Sequence, residues 1–569
     1  MSKPLILLGA IVGFSAAQNC PILGPAYPPV TEISSSNAFG AARATADKLI
    51  TDGLASGQLD NQTSAFSVQV FSIYSDDPVY EYHHAAPALN LTTLNGDTIY
   101  RIGSISKLIT VYTILSKLPD WYWDEPVSKY IPELSGLAPP EDSLAAVDWS
   151  KVTLGALASQ MGGIGRDYTL GDLSAIPPGS GQILLPGLPP IAEPVRCGSV
   201  GFRPCTRAEA MAGIISKPPV TDPYRTPIYS NMGFQLLAYA VENITGRPFP
   251  DLVRDQLLVP LNLTRTFLSN PGNDSNAVVV PGYDEDIGDE APAGAYYQSL
   301  SDLGALGASI LSSTILPEIK TRRWLQPTAH TSTFSISVGR PWEIFREKVL
   351  TDPRGNNNKT RIVDMYTKNG GLEQYVAHLA LSPDHGMGIA VLTAGGGGQP
   401  SFFFLQEMLY KVFLGTAESA AREKAAADFG GKKNNGAGDR EFKGDLVEFG
   451  LDGSGEPGLF LSRLVSNGTD MLEAFGTVFG VPEGVKLGGW LYPVGRDSGR
   501  AAFRAVFGAV GVDTTVEDRC LAWGSVDQLR YGGNAVDLFV FELDDEGKAT
   551  EVRVVALGRS IKRTAKGGD

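Results

Sequence analysis

Two domains of different class are expected from this sequence, an α+β domain over residues 18–415 and a small all-β domain over 441–569. Three observations predict them. Between about 40 and 415, helical periodicity as in GFQLLAYAVENI and DLVRDQLLVPL alternates with apolar strand-like runs such as QYVAHLALS and GMGIAVLTAG, so both element types share one core. Next, AESAAREKAAADF reads as an amphipathic helix and GGKKNNGAGDREFKG as a linker or exposed hairpin, which assigns 416–440 to helix and linker. Beyond it, LFLSRLV, FRAVFGAV, CLAWGSVDQL, VDLFVFEL and EVRVVALG are short β-rich runs, the last two joined by DDEGKAT as a hairpin. A small antiparallel sandwich or open barrel is the expected form.

With 569 residues, 43% of them hydrophobic and 19% charged, the chain is long enough for two packed cores and is not disordered as a whole. The net charge of -15 argues against a general nucleic-acid binder, which needs basic patches to displace counterions from phosphate. An acidic enzyme or secreted protein fits this balance.

The first residues carry Lys3, an apolar run from Pro4 to Phe14, and the small residues Ser15, Ala16 and Ala17. This is the layout of a cleavable secretory leader, 1–17, with removal expected after Ala17. The run is well short of the ~20 apolar residues that span a bilayer, so no stable membrane anchor is expected. An extracellular location agrees with seven Asn-x-Ser/Thr sequons, at Asn61, Asn90, Asn243, Asn262, Asn273, Asn358 and Asn467. It agrees also with four cysteines of no metal-type spacing. Cys197 and Cys205 bracket GSVGFRP, a loop whose closure would stabilise by about 2.5 kcal/mol, leaving Cys20 to pair with Cys520. The alternative is four free thiols, which an oxidising compartment disfavours.

Three short motifs carry the chemistry. In TIYRIGSISKLIT, Ser104 and Lys107 stand three residues apart at an expected helix start, on one face and within reach of each other. Alone, the pair reads equally as a capping serine and a solvated lysine. In PIYSNMGFQLLAYAVENI, Tyr229 and Asn231 precede an amphipathic helix, in a loop that would present both side chains to a cleft. In YTKNGGLEQYVAHLALSP, Lys368, Asn369, Gly370 and Gly371 head an apolar strand, where missing β-carbons permit close approach of another backbone or a ligand.

In order and context these segments resemble the serine β-lactamase and penicillin-binding-protein superfamily, in particular its class C β-lactamase and D-Ala-D-Ala peptidase branch. The resemblance covers about 40 to 415 and extends to TLGALASQMGGIGRDY and AGAYYQSLSDLGALGASIL. It implies a β-lactamase/transpeptidase-like fold, an antiparallel sheet flanked by helices with a helical subdomain. It also implies Ser104 as nucleophile, Lys107 as its activating partner and Tyr229 as sharer of the proton, with Asn231, Lys368, Asn369 and Gly370 around the substrate. The N–H groups of Ser104 and Gly371 would be the oxyanion donors. A serine hydroxyl needs a neighbour to take its proton, and burial beside a second cation, Lys368, would lower the pKa of Lys107 toward that task.

Two departures are visible. Asn369 replaces the hydroxyl residue of the family's Lys-Thr-Gly motif, where that hydroxyl helps hold a substrate carboxylate, and Gln160 stands in the family's Leu-Thr-His-Thr-Ser-Gly-type segment, lining the cleft or facing solvent. His83, His84, His330, His378 and His385 form no HExxH pattern, and neither metal nor other cofactor is expected. The expected activity is hydrolysis of a small-molecule ester, lactone or amide through an acyl-serine. The alternatives are transfer of that acyl group to an alcohol or amine, and a non-catalytic binding scaffold.

Overall fold

A computed structural model describes residues 21–565, apart from 90, 92, 176–187, 189–190, 192–196, 200–201, 273–275, 353–358, 431–439, 443–446, 452, 454, 480 and 512–521. The expected leader 1–17, Cys20, Cys520, and the sequons at Asn90, Asn273 and Asn358 lie outside the described residues. The chain forms two compact units, one of 43–347 and 364–410, the other of 1–42, 348–363 and 411–569.

The first unit is built on a sheet whose strands run in the order Tyr80–Ala85, Ser64–Ser72, Met387–Gly395, Tyr375–Ser382, Thr360–Leu372, Glu343–Leu350, Ile336–Val338 and Ala329–His330. Strands Ser64–Ser72 and Met387–Gly395 are buried at every position, which is why, Gln69 apart, both read as apolar or small-residue runs rather than as alternating ones. Helices Leu300–Leu311 and Gly398–Leu409 pack against the sheet. Ser299 caps the first of them, its hydroxyl accepting the Asp302 N–H.

Away from the sheet lies a helical part. Helix Ser106–Lys117 buries every residue from Ser106 to Leu115, so it runs through the core rather than over it. Helix Met232–Thr245 is buried from Met232 to Val241 and stops at Gly246, whose φ of 66° is the left-handed conformation suited to glycine. The disulfide Cys197–Cys205 closes the loop expected of it. Of the described sequons, Asn61, Asn243, Asn262 and Asn467 are exposed.

The second unit holds an antiparallel meander: Arg440–Phe442, Arg559–Ala565, Ala549–Val554, Leu538–Leu543, Arg500–Ala509, Leu487–Arg496, Leu459–Ser466 and Val447–Gly450, with Thr469–Asp470 pairing beside Leu459–Ser466. It is one sheet, not the two stacked layers of a sandwich. Its apolar face is covered by helix Gly415–Phe429, which supplies Ala421, Ala425 and Phe429 to a cluster with Phe449, Phe503 and Phe541. The rings of Phe429 and Phe541 meet edge to face, 5.1 Å between centroids. CLAWGSVDQL departs from the expected strand: Ala522–Gly524 is a single 3-10 turn, and Asp527 has a φ of 62° that an extended strand cannot accommodate.

Within this unit Arg361 and Glu418 are 1% and 2% exposed and pair twice, Nε to Oε1 at 2.8 Å and Nη2 to Oε2 at 2.9 Å. Removing one partner leaves a buried charge without its counter-ion. Glu418→Ala is therefore expected to destabilise by roughly 3 kcal/mol, read as a lowered denaturation midpoint of the full chain, with Glu418→Gln losing less.

Candidate active site

Ser104 sits in the 3-10 turn Gly103–Ile105, which runs directly into helix Ser106–Lys117. Gly103 has a φ of 50°, and a β-carbon there would stand 2.5 Å from the nitrogen of Gly371. One at Gly370 would stand 1.9 Å from the carbonyl oxygen of Ile102. Both glycines are required by this approach of strand Thr360–Leu372 to the serine turn.

Lys107 is fully buried, and its Nζ donates to Ser104 Oγ at 3.0 Å, Asn231 Oδ1 at 2.6 Å and the Ala293 carbonyl at 2.7 Å. Three acceptors match the three donors of an ammonium. Burial, opposed by Tyr229 and aided by the Lys368 charge, holds its pKa below the usual lysine value. From the other side the Tyr229 hydroxyl donates to Ser104 Oγ at 2.6 Å. Burial alone would raise the Tyr229 pKa. The cations Lys368 and Lys107, 5.5 and 4.8 Å from its ring centroid, override that and bring it down to about 8.

Asn231 immediately precedes helix Met232–Thr245 but does not cap it. Its amide accepts from Lys107 and donates to Asp167 Oδ1 at 2.7 Å, fixing the lysine's position. Gln160 neither faces solvent nor offers its carbonyl to the cleft. Held at a φ of 62°, it accepts the Ser230 N–H on Oε1 at 2.7 Å and so supports the turn that carries Tyr229.

Strand Thr360–Leu372 presents alternating faces. Lys368 is 1% exposed and pairs with Glu343, whose other carboxylate oxygen accepts from the Asn369 N–H at 3.2 Å and from Asn369 Nδ2 at 2.8 Å. Asn369 Oδ1 accepts from His378 Nδ1 at 2.7 Å, and His378 Nε2 meets the Tyr410 hydroxyl at 2.9 Å. Burial pushes His378 down to about 4, and the neutral ring fits one donor and one acceptor contact. The expectation that Asn369 faces substrate is thereby corrected: both ends of its amide are engaged by Glu343 and His378.

The turn Glu373–Gln374 closes on the opposed pair Leu372 and Tyr375. Bonded and non-bonded pairs alternate along an antiparallel ladder, so Gly371, opposite Val376, and Asn369, opposite His378, turn their N–H groups to the outer edge. The Asn369 N–H is met there by Glu343, and that of Gly371 leaves beside Gly103 and Ser104.

Asp167, Glu290 and Glu343 were not legible as site residues. Asp167 pairs with Asn231, and burial raises its pKa. Burial, then repulsion from Asp167, pushes Glu290 up to about 8 against the attraction of Lys107. Asp167 lies in the family-like segment TLGALASQMGGIGRDY, the one pointer the sequence held to it; Glu343 and Glu290 had none.

The family model described as Beta-lactamase matches residues 46–406, and that described as Beta-lactamase-like-like, C-terminal domain, matches 421–565. A beta-lactamase-like protein of Arthroderma benhamiae is 29% identical over 608 aligned positions, covering 98% of this chain and 98% of its own length. A probable hydrolase of Phoma sp. is 25% identical, covering 73% of this chain and 69% of its own. A beta-lactamase/D-alanine carboxypeptidase from Yersinia pestis, crystallised with citrate, has 17% identity and a TM-score of 0.49, covering 66% of this chain and 99% of that one.

Since deprotonated Tyr229 is the form able to accept the Ser104 proton, turnover is expected to rise with pH along a limb near 8, the titration belonging to the coupled tyrosine and lysine. Lys368→Met removes the cation that favours the phenolate, raises the tyrosine pKa and moves the limb to higher pH. Tyr229→Phe is expected to cost at least about 100-fold in kcat. A pH-rate profile of the three proteins checks this.

Proposed function

This chain belongs to the Beta-lactamase family, and on that premise we propose that it is a secreted serine hydrolase that opens an ester, lactone or amide through an acyl-serine on Ser104. The observation that carries the reading is the position of Ser104 Oγ, within hydrogen-bond distance of both Lys107 Nζ and the Tyr229 hydroxyl. The hydrolase names of two relatives support the reaction class.

Tyr229, ionised, takes the Ser104 proton as Oγ bonds to the acyl carbon. The buried ammonium of Lys107 stabilises the phenolate before the step and the alkoxide as it forms. Negative charge passes to the former carbonyl oxygen, which the N–H groups of Ser104 and Gly371 receive. The positive end of helix Ser106–Lys117 adds to the same field. Collapse breaks the bond to the leaving group, which takes the proton from Tyr229. Water then repeats the sequence on the acyl-enzyme, giving up its proton to Tyr229, and Ser104 recovers a proton as the acid departs.

A fluorophosphonate is expected to label the mature protein once, at Ser104, and to leave Ser104→Ala unlabelled. Labelling that persists at another serine overturns the assignment. For secretion, the support is the leader-like amino terminus, the Cys197–Cys205 disulfide and exposed sequons. Intact-mass analysis of culture-medium protein is expected to find a chain beginning at Gln18, heavier by N-glycans that an endoglycosidase removes.

A further inference from the structure

A line of hydrogen-bonded side chains runs from the end of helix Gly398–Leu409 to the ring of Tyr229. Tyr410 follows that helix, and its hydroxyl meets His378 Nε2 at 2.9 Å. His378, fully buried on strand Tyr375–Ser382, stands opposite Asn369 and reaches its Oδ1 through Nδ1 at 2.7 Å. Asn369 Nδ2 then reaches Glu343 Oε2 at 2.8 Å. Lys368 Nζ donates to Glu343 Oε1, and the same Nζ lies 5.5 Å from the Tyr229 ring centroid.

The chemistry of the two ends fixes the direction of every hydrogen bond between them. Burial would raise the Glu343 carboxyl, but Lys368 and the two Asn369 donors hold it below the usual value, so it is ionised. A carboxylate only accepts, and the Asn369 amide must therefore turn Nδ2 to Glu343 and Oδ1 to His378. Oδ1 in turn needs a donor, which puts the imidazole hydrogen on Nδ1 and leaves Nε2 to accept. Burial pushes the Tyr410 phenol well above its usual range, so its hydroxyl keeps a proton to give to Nε2, and the Gln406 amide nitrogen stands at the same atom at 3.4 Å. Among the described residues the charges that act on His378 are those of Glu343 and Lys368, both beyond Asn369.

Glu343 has two oxygens to satisfy. With Asn369 on Oε2, Lys368 answers Oε1 and stays against Tyr229. An amide turned the other way would set its own oxygen against Oε2, and Lys368 would be drawn across to answer both. We propose that His378, held by Tyr410, is a positioning residue of the reaction: it fixes the Asn369 amide with its N–H toward Glu343 and so keeps the Lys368 charge beside Tyr229. The inference rests on the acyl-serine reading and deepens it. It gives Asn369 a task, which is to steer the lysine beside it rather than to hold substrate.

The test reads the rate of fluorophosphonate labelling at Ser104 against pH in the mature full-length protein, which needs no known substrate. His378→Leu removes the donor to Asn369 and is expected to move the limb near 8 upward by roughly half a unit or more. Tyr410→Phe keeps the ring and frees the imidazole to change tautomer. A smaller shift in the same direction is expected, and this variant decides the matter should His378→Leu not fold. His378→Asn, whose amide nitrogen can stand where Nδ1 stood, should bring the limb back close to its original position. In an Asn369→Leu background, His378→Leu should add no further shift, because the path runs through that amide. Phe402→Leu trims the ring packed edge-on against His378 at 5.8 Å, and should lower the denaturation midpoint while leaving the limb in place. A limb that stays put or moves down in both His378→Leu and Tyr410→Phe overturns the positioning role while Ser104 still labels. So does a full further shift in the Asn369→Leu background, or an equal shift in Phe402→Leu. Absence of labelling at Ser104 in the unaltered protein overturns the hydrolase reading and the role with it.

Discussion

A lysine ammonium with no solvent exposure is the constraint around which the first unit is arranged. Burying such a charge is costly unless every donor is met, and each donor of Lys107 is met by a different part of the chain. Ser104 comes from the same helix start, Asn231 from the loop before helix Met232–Thr245, and Ala293 from the short helix Ala291–Gly294. Satisfying the lysine therefore fixes Ser104, the Tyr229 loop and the 291–294 segment relative to one another. The same burial weakens the lysine's hold on its proton and strengthens its effect on the neighbouring phenol, because a desolvated charge is poorly screened. Stability and reactivity at this point have one cause.

The second determinant is steric. Strand Thr360–Leu372 approaches the serine turn so closely that β-carbons at Gly103 or Gly370 would overlap backbone atoms. That approach sets the two N–H groups assigned to the oxyanion beside each other without any side chain taking part. The strand's polar groups are then divided by parity. Lys368 turns to Tyr229 and Glu343, while Asn369 turns to Glu343 and His378, so that a neutral buried histidine, an amide and a carboxylate hold one another in a fixed order.

The second unit follows another logic. Its meander is stabilised by aromatic contacts between Phe429 on a helix and Phe503 and Phe541 on neighbouring strands. The buried Arg361 and Glu418 pair belongs to this unit although Arg361 lies on the strand that continues to Lys368. One strand thus gives its first residues to one unit and its last to the candidate site of the other.

From the sequence alone came the division into an α+β and a β-rich part and the helix that follows Ser104, because local periodicity records them, while Ser104, Lys107, Tyr229, Asn231 and Lys368 were singled out by the resemblance of their segments to family motifs. The continuous sheet, which decides against the sandwich of the two expected forms, the turn at Ala522–Gly524 and the engagement of Asn369 by Glu343 and His378 were decided by tertiary structure. So were Glu343, Asp167 and Glu290 as members of the site, since each acts on a group from another element of the chain. Spacing along a chain encodes which side chains share a helix face or a strand edge. Burial and the field of distant charges exist only once the chain has closed on itself, and these set the ionisation of Tyr229.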